Sequence, residues 1–381
     1  MSFSTISTSI ENYEYEGNST ELDCEPFPSY VADIILPLLY SLMFIIGISG
    51  NSVLMIILLS RKNVKRLIDI FIINLALSDF IFLLTLPFWI DFYISQGNWR
   101  VGSFLCKFST YVIALNMYSS VFFLTCMSFD RYLAIVHPCM SRAVRTRLHA
   151  SYSCIFVWIL AMVLAIPVPI SRKVVEMGEA SVCTEDMNSQ LTGPFTLISL
   201  TFAFVLPLIG ILGCYCMITK KLCLHYRRAK KQDQRYLKSF KMVFIIIALF
   251  VISWVPFNTF KIISTAVRKA GEKAMEEESS SCSGIETISD VGMQVSSPLA
   301  FANSCANPII YYFFDNHMRR NVVRFLCRWR TDYLMTLSLD TSSSHLNKSQ
   351  ITNAHGNQDN FKKPYSKNLT QMQDYSLASE E

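Results

Sequence analysis

Few residues in this sequence carry chemistry, and they stand far apart. Asp79 is the one charge in the interior of an apolar run at 68–90, whose other charge, Asp69, stands at its edge. A carboxylate held at mid-membrane costs about 2.5–3.5 kcal/mol on insertion scales, so Asp79 needs a partner. Asp130 and Arg131 form an adjacent acid–base pair at the end of another apolar run, 108–129. An arginine at such a boundary can snorkel its guanidinium into the interface. No metal-ligand cluster and no nucleophile constellation occurs in the apolar runs, which argues against a membrane enzyme. The run at 291–314 contains no lysine, so the Schiff-base site of a light-driven sensor or pump is missing. A transporter would want more intramembrane polar groups than Asp79 and its neighbours, and no pair of interrupted half-helices is present.

These residues must be positioned by membrane spans. The chain has 381 residues, 51% hydrophobic and only 17% charged, against about 25% charged in an average soluble domain. Runs long enough to cross the hydrocarbon core, about 20 residues, occur at 34–60, 68–90, 108–129, 150–171, 187–219, 242–260 and 291–314. The fifth run exceeds one span, so its beginning reads as a loop. Backbone groups in lipid must be satisfied internally, so all seven are helices. Pro87, Pro167, Pro169, Pro207, Pro256 and Pro308 predict kinks rather than breaks.

Charge sets the orientation. Arg61, Lys62, Lys65 and Arg66 follow the first span, and Arg142, Arg145 and Arg147 the third. Nine Lys and Arg residues lie between Lys220 and Lys241, and Arg319, Arg320, Arg324, Arg328 and Arg330 follow the seventh span. These alternate loops share a face, the cytosolic one by the positive-inside rule. The other face carries the N-terminal tail, whose acidic groups are Glu11, Glu14, Glu16, Glu21, Asp23, Glu25 and Asp33, with no Lys or Arg. The net charge of +5 hides this asymmetry. A soluble nucleic-acid binder would not carry so much contiguous apolar sequence, so no nucleic-acid partner is expected. Residues 1–10 lack a basic start and an apolar core, so the first span is expected to act as an uncleaved anchor.

Of twelve cysteines, Cys24, Cys106, Cys183 and Cys282 fall in extracellular segments. Four cysteines in an oxidising compartment allow three pairings, and spacing does not choose among them. Asn18-Ser19-Thr20 is a glycosylation acceptor on the same side. Tyr13 and Tyr15, among Glu11, Glu14 and Glu16, are either sulfation sites or part of a plain acidic tail.

The landmarks along the chain are Gly50-Asn51, Asn74-Leu75-Ala76-Leu77-Ser78-Asp79, Cys106, Asp130-Arg131-Tyr132, Trp158, Pro207 with Tyr215, Ser253-Trp254-Val255-Pro256, and Asn307-Pro308-Ile309-Ile310-Tyr311. In that order, one set per span, they resemble the rhodopsin-like (class A) G-protein-coupled receptors over roughly 34–327. Thr85-Leu86-Pro87 and the two extracellular cysteine pairs resemble the peptide and chemokine branch. The implied fold is an all-α membrane protein, a seven-transmembrane helix bundle with a short amphipathic eighth helix. The implied disulfides are Cys106–Cys183 and Cys24–Cys282.

The resemblance also implies roles. Asp79, Asn116, Ser120, Asn303 and Asn307 match positions that line a sodium site, and their oxygens suit a hard cation. The alternative is a protonated Asp79 hydrogen-bonded to Asn307. Asp130, Arg131 and Tyr132, with Tyr215 and Tyr311, match the G-protein switch, in which Asp130 restrains Arg131 at rest. Trp254 and Pro256 match the activation hinge. Trp89, Tyr93, Arg172, Lys261, Met293 and Gln294 match the ligand-binding mouth, where the two cations suit an anionic feature such as a peptide C-terminus. The acidic N-tail suits a basic ligand body. Departures from the family pattern are Ser253 in place of a cysteine, Ser297 in place of a glutamate that grips chemokines, and Met318 in place of a phenylalanine. Tyr236 stands where many relatives carry an acid that also restrains the arginine, so some basal activity is expected.

The expected molecule has an extracellular tail at 1–33, a bundle at 34–327 and a disordered cytosolic tail at 328–381. It sits in the plasma membrane and converts binding of a peptide or chemokine-like ligand into activation of a heterotrimeric G protein, by branch analogy the inhibitory type. A scavenging receptor that internalises ligand without G-protein signalling is the alternative, and the intact Asp130-Arg131-Tyr132 argues against it. Residues 315–327 read as a basic amphipathic helix drawn to membrane lipid, with Cys327 either palmitoylated or a free thiol. Asp340-Thr341-Ser342-Ser343-Ser344, once phosphorylated, would attract arrestin; otherwise it is a passive polar tail.

Overall fold

Beside a largely apolar core, this protein buries polar groups and exposes large apolar side chains that a soluble one would treat the other way round. Asn51, Asp79, Ser109, Ser119 and Ser128 have no exposed surface, while Ile45, Phe104, Phe156 and Ile209 are exposed. The buried polar groups meet one another inside the bundle among apolar side chains, and further apolar side chains face out, as lipid allows. The computed structural model describes residues 31–60, 66–178, 180–186, 194, 197–198, 200–226, 234–276, 284–314, 318–325 and 327. The expectations for Tyr13, Tyr15, Asn18, Cys24, Cys282, the Tyr236 side chain and the chain beyond 327 lie outside the described residues.

Among the described residues, five helical segments are long and apolar enough to cross a membrane: Asp33–Leu59, Leu67–Ile94, Gly102–Val136, Arg147–Ile170 and Phe244–Val267. They are the first to fourth and the sixth span. The fifth span is the helix Leu206–Tyr226, entered through a π-helical turn at Thr201–Val205. The seventh is Gly284–Phe314. The sixth span belongs to a longer helix, Gln234–Glu276, with Pro256 inside it.

The prolines act in two ways. Pro256, Pro298 and Pro308 sit within continuous helices. Pro87 and Pro167 instead stand where the helix restarts. The second span is interrupted between Leu83 and Leu86, and Pro87 lies in the first turn of the new segment. There the missing N–H is no loss. The Thr85 hydroxyl donates to the Phe82 carbonyl at 2.7 Å, which satisfies an acceptor at the break. The fourth span likewise ends at Ala165 and restarts at Pro167. The third span runs well past its apolar core, from Gly102 to Val136, so that Lys107, Asp130 and Arg131 are helical at its ends.

The third span packs against the second, fourth, fifth and sixth, and the first against the second and seventh. Small residues permit close approach. A Cβ on Gly47 would lie 2.6 Å from Leu83 Cδ1 and 2.9 Å from Cys305 Sγ, so glycine lets the first span touch the second and seventh. Trp158 reaches from the fourth span to the second, its indole N–H donating to Asn74 Oδ1 at 2.9 Å.

Between the fourth and fifth spans lies an antiparallel hairpin, β1 (Arg172–Met177) and β2 (Ala180–Glu185). The sequence reading placed no strand here. Gly178 takes a positive φ of 62° at the turn, and Val174, Val175 and Val182 supply β-branched residues suited to strands. A disulfide joins Cys183 on β2 to Cys106 in the first turns of the third span, with Cα atoms 5.7 Å apart. Asn98 Oδ1 accepts from the Ser181 N–H at 3.0 Å, tying the hairpin also to the chain just before that span.

Residues 318–323 are helical, with Met318 buried, as befits a gap-filling side chain in the place of phenylalanine. Arg324–Glu381 forms a separate unit, of which residues 324, 325 and 327 are described and helical.

Candidate functional site

At the centre of the bundle, Asp79 accepts two amide hydrogen bonds. Asn116 Nδ2 donates to one carboxylate oxygen at 2.9 Å, and Asn307 Nδ2 to the other at 2.8 Å. The second, third and seventh spans thereby meet on one acid. Asn116 Nδ2 also approaches Ser78 Oγ at 3.1 Å and Ser120 Oγ at 3.4 Å, and the Ser304 hydroxyl donates to Asn116 Oδ1 at 3.3 Å. Ser78 and Ser119 pair their hydroxyls at 2.5 Å. Asn51 extends the network, donating to the Ser304 carbonyl at 3.0 Å.

Four of the residues grouped from the sequence therefore converge: Asp79, Asn116, Ser120 and Asn307. Asn303 is buried on the seventh span one turn before Asn307, and does not bond to the carboxylate. Ser78, Ser119 and Ser304 join the cluster and were missed. Their signal was present, since Ser78 is next to Asp79, Ser119 is next to Ser120 and Ser304 lies three residues before Asn307, all on buried helix faces. Asn307 Oδ1 is buried and has no hydrogen-bond partner among the described residues. An orphaned amide oxygen beside a carboxylate and a hydroxyl is the donor chemistry a hard monovalent cation accepts, so these residues fit the sodium site that the resemblance implies.

Toward the hairpin the bundle opens into a cavity of about 210 Å³. Thr110, Met117 and Tyr118 of the third span, Leu164 and Val168 of the fourth, and Trp254, Asn258 and Lys261 of the sixth line it. Arg172 and Glu185 close it from the base of the hairpin, where they are cross-strand partners. Trp254 is buried and stacks near Phe250 and edge-on to Phe257, 5.5 Å away. Its indole N–H has no partner among the described residues. Asn258 Nδ2 donates to the Trp254 carbonyl at 2.8 Å, close to where Pro256 removes a backbone donor.

Arg172 and Lys261 do line this cavity, as the sequence placed them, but they share an anion that the sequence reading overlooked. Arg172 Nη2 lies 3.2 Å from Glu185 Oε1, and Lys261 Nζ contacts the same oxygen. Trp89, Tyr93, Met293 and Gln294 are buried and do not line the cavity. Trp89 packs on Trp99 with ring centres 5.1 Å apart, and Tyr93 on Tyr40 at 5.5 Å. They form an aromatic shelf between the first two spans and the loop that follows.

At the opposite end, Asp130 is held from two sides. Arg131 Nη2 lies 3.0 Å from Asp130 Oδ2. Arg145 donates from Nε to Oδ1 at 2.7 Å and from Nη2 to Oδ2 at 3.1 Å, a bidentate fork. Arg145 follows the short helix Pro138–Val144, where its sequence position marks it only as one of the basic charges after the third span. Tyr132 pairs its hydroxyl with His137 Nε2 at 2.9 Å. Tyr215 is buried against Phe244 of the sixth span, ring centres 6.0 Å apart. The Tyr311 hydroxyl reaches Met127 Sδ at 3.8 Å. The residues expected to form the G-protein switch thus lie on the third, fifth and seventh spans at one end of the bundle.

Comparison with known proteins agrees with this arrangement. Residues 50–311 match the model of the 7 transmembrane receptor (rhodopsin family). G-protein coupled receptor 15 of Mus musculus is 43% identical over 339 residues, covering 89% of this chain and 92% of the relative. The type-1 angiotensin II receptor of Bos taurus is 36% identical over 298 residues, 77% of this chain and 80% of the relative, and that of Homo sapiens is 35% identical over the same shares. With a hairpin-capped cavity at one end of the helices, a buried carboxylate at the centre and an acid–arginine pair at the other end, the chain belongs to the rhodopsin family of seven-transmembrane G-protein-coupled receptors, and is a receptor rather than an enzyme.

Proposed function

We propose that this receptor sits in the plasma membrane with its N-terminal tail and hairpin outside, binds a peptide or chemokine-like ligand of basic character, and activates a heterotrimeric G protein of the inhibitory type. The observation that carries the reading is the cavity floored by Trp254, on the same helix as the Pro256 hinge. A ligand pressing on Trp254 acts on a helix whose backbone ladder is already interrupted, so the segment below can swing. Agonist shifts the population only if it binds the swung state better than the resting one. The acidic tail at 1–33 supports a basic ligand body. The relatives named for angiotensin II favour a peptide.

At the inner end, Asp130 restrains Arg131 until the sixth span moves, and Arg131 then meets the G protein. Phosphorylation at 340–344 recruits arrestin, and the basic stretch at 315–327, with Cys327 palmitoylated, rests on membrane lipid. Asn18 carries a glycan and Cys24 pairs with Cys282. Asp79, Asn116, Ser120, Asn303 and Asn307 would hold a sodium ion, which would supply the positive charge that a buried carboxylate lacks. Replacing sodium in the assay buffer by a bulky organic cation is expected to raise basal signalling of the wild type and to leave Asp79→Asn unchanged. Equal responses of the two would contradict the ion site.

The test of the whole reading is a panel of secreted basic peptides applied to cells expressing the receptor, read by dissociation of the G protein. One member is expected to evoke a signal that Arg131→Ala abolishes. Uptake of a peptide without any dissociation would favour the scavenging alternative instead.

A further inference from the structure

Glu185 occupies an unusual position. It closes the cavity, its side chain is only 10% exposed, and one oxygen, Oε1, serves both Arg172 and Lys261, which are 2% and 17% exposed. Arg172 faces it directly across the hairpin register. The strand bearing it is fixed to the third span by the Cys106–Cys183 disulfide two residues earlier. Lys261 belongs to the sixth span, seven residues beyond Trp254, hence two turns further toward the hairpin on the same face. One side of this contact is therefore anchored covalently to the static part of the bundle. The other is the helix that must move.

We propose that Glu185 is a latch: a resident anion that fastens the sixth span to the disulfide-anchored hairpin in the resting receptor, and that an acidic group of the ligand displaces when it takes Lys261. The inference rests on the signalling role proposed above and adds its regulation. An ion pair withdrawn from water resists separation more than an exposed one. Releasing it costs the resting state a restraint that the swung state does not have, and so shifts the population toward activity. The latch also defines the chemistry of the agonist. A ligand that offers a carboxylate replaces Glu185 without leaving Lys261 or Arg172 stranded. The same ligand with its acid amidated leaves the cations to Glu185.

The test measures ligand-independent G-protein dissociation by the full-length receptor in cells, normalised to surface expression, for the wild type, Glu185→Gln, Lys261→Gln, the double variant and Arg131→Ala. Either single change is expected to raise the basal signal by roughly fivefold or more, the low end of couplings between sites. The double variant should rise no further than the larger single, because both changes open one contact. A wild-type signal above that of Arg131→Ala, with no rise in the Gln variants, would overturn the latch and leave the signalling role standing. No signal in any variant would overturn both. Thermal unfolding of the purified receptor in lipid nanodiscs reads the contact without any G protein. Strictly additive losses for the two changes there would also overturn the latch.

Discussion

Replacing Asp79 by leucine removes the acceptor of two amide donors at once. The buried Asn307 amide would lose the acceptor it has here, at a cost of about 1–3 kcal/mol for an unsatisfied group, while Asn116 would fall back on Ser78 and Ser120. The expected result is a lower unfolding temperature of the purified receptor, whereas Asp79→Asn, which retains an acceptor, should lose less. Equal stability of both variants and the wild type would contradict the network. The presence of this cluster was legible because a carboxylate in the middle of an apolar run demands company. Its membership was legible only in part. Asn116 and Asn307 followed from the resemblance, whereas Ser78 and Ser304 are serines among many in helical runs, and only the packing of three spans singles them out. Glu185 and Arg145 were hidden for a different reason. Each lies in a segment between spans, where a charge ordinarily faces water, and it is the hairpin and the short Pro138–Val144 helix that turn them inward.

At the scale of elements, the hairpin depends on its covalent anchor. Cys106→Ala frees β2 from the third span, and losing a native disulfide typically costs about 2–5 kcal/mol. Loss of surface expression or of ligand binding is expected for Cys106→Ala and Cys183→Ala alike, with the double variant no worse than either. A double variant markedly worse than both would mean that the two residues act separately. A second element-level test concerns the sixth and seventh spans. A Cβ at Gly292 would come within 2.1 Å of the Phe260 ring. Gly292→Val should therefore overpack this seam, at about 1–3 kcal/mol, and Phe260→Ala in the same chain should relieve it. Helix identity was legible throughout because lipid permits little else. Helix ends were not. The third span extends past its apolar core at both ends, and the second breaks at Thr85, because charged or hydroxylated side chains near the interface can satisfy backbone or water without ending a span. The hairpin went unread because six-residue strands leave little trace beside long helical runs.

For the molecule as a whole, we propose from the alternation of basic and acidic segments that the two termini lie on opposite faces of the membrane. An epitope added before Met1 should be reached by antibody on intact cells, and one added after Glu381 only after permeabilisation. The architecture was the most legible level of all, since span count and charge bias depend on composition over long stretches rather than on any one contact. What composition could not convey is how the two ends communicate, which depends on the few side chains that the bundle brings together. That communication is tested most directly by nucleotide exchange on a purified inhibitory-type heterotrimeric G protein, mixed with the receptor in lipid nanodiscs. Wild-type receptor should accelerate exchange over empty nanodiscs, and Arg131→Ala should not. Exchange that wild-type receptor fails to accelerate, or that Arg131→Ala accelerates equally, would contradict the account.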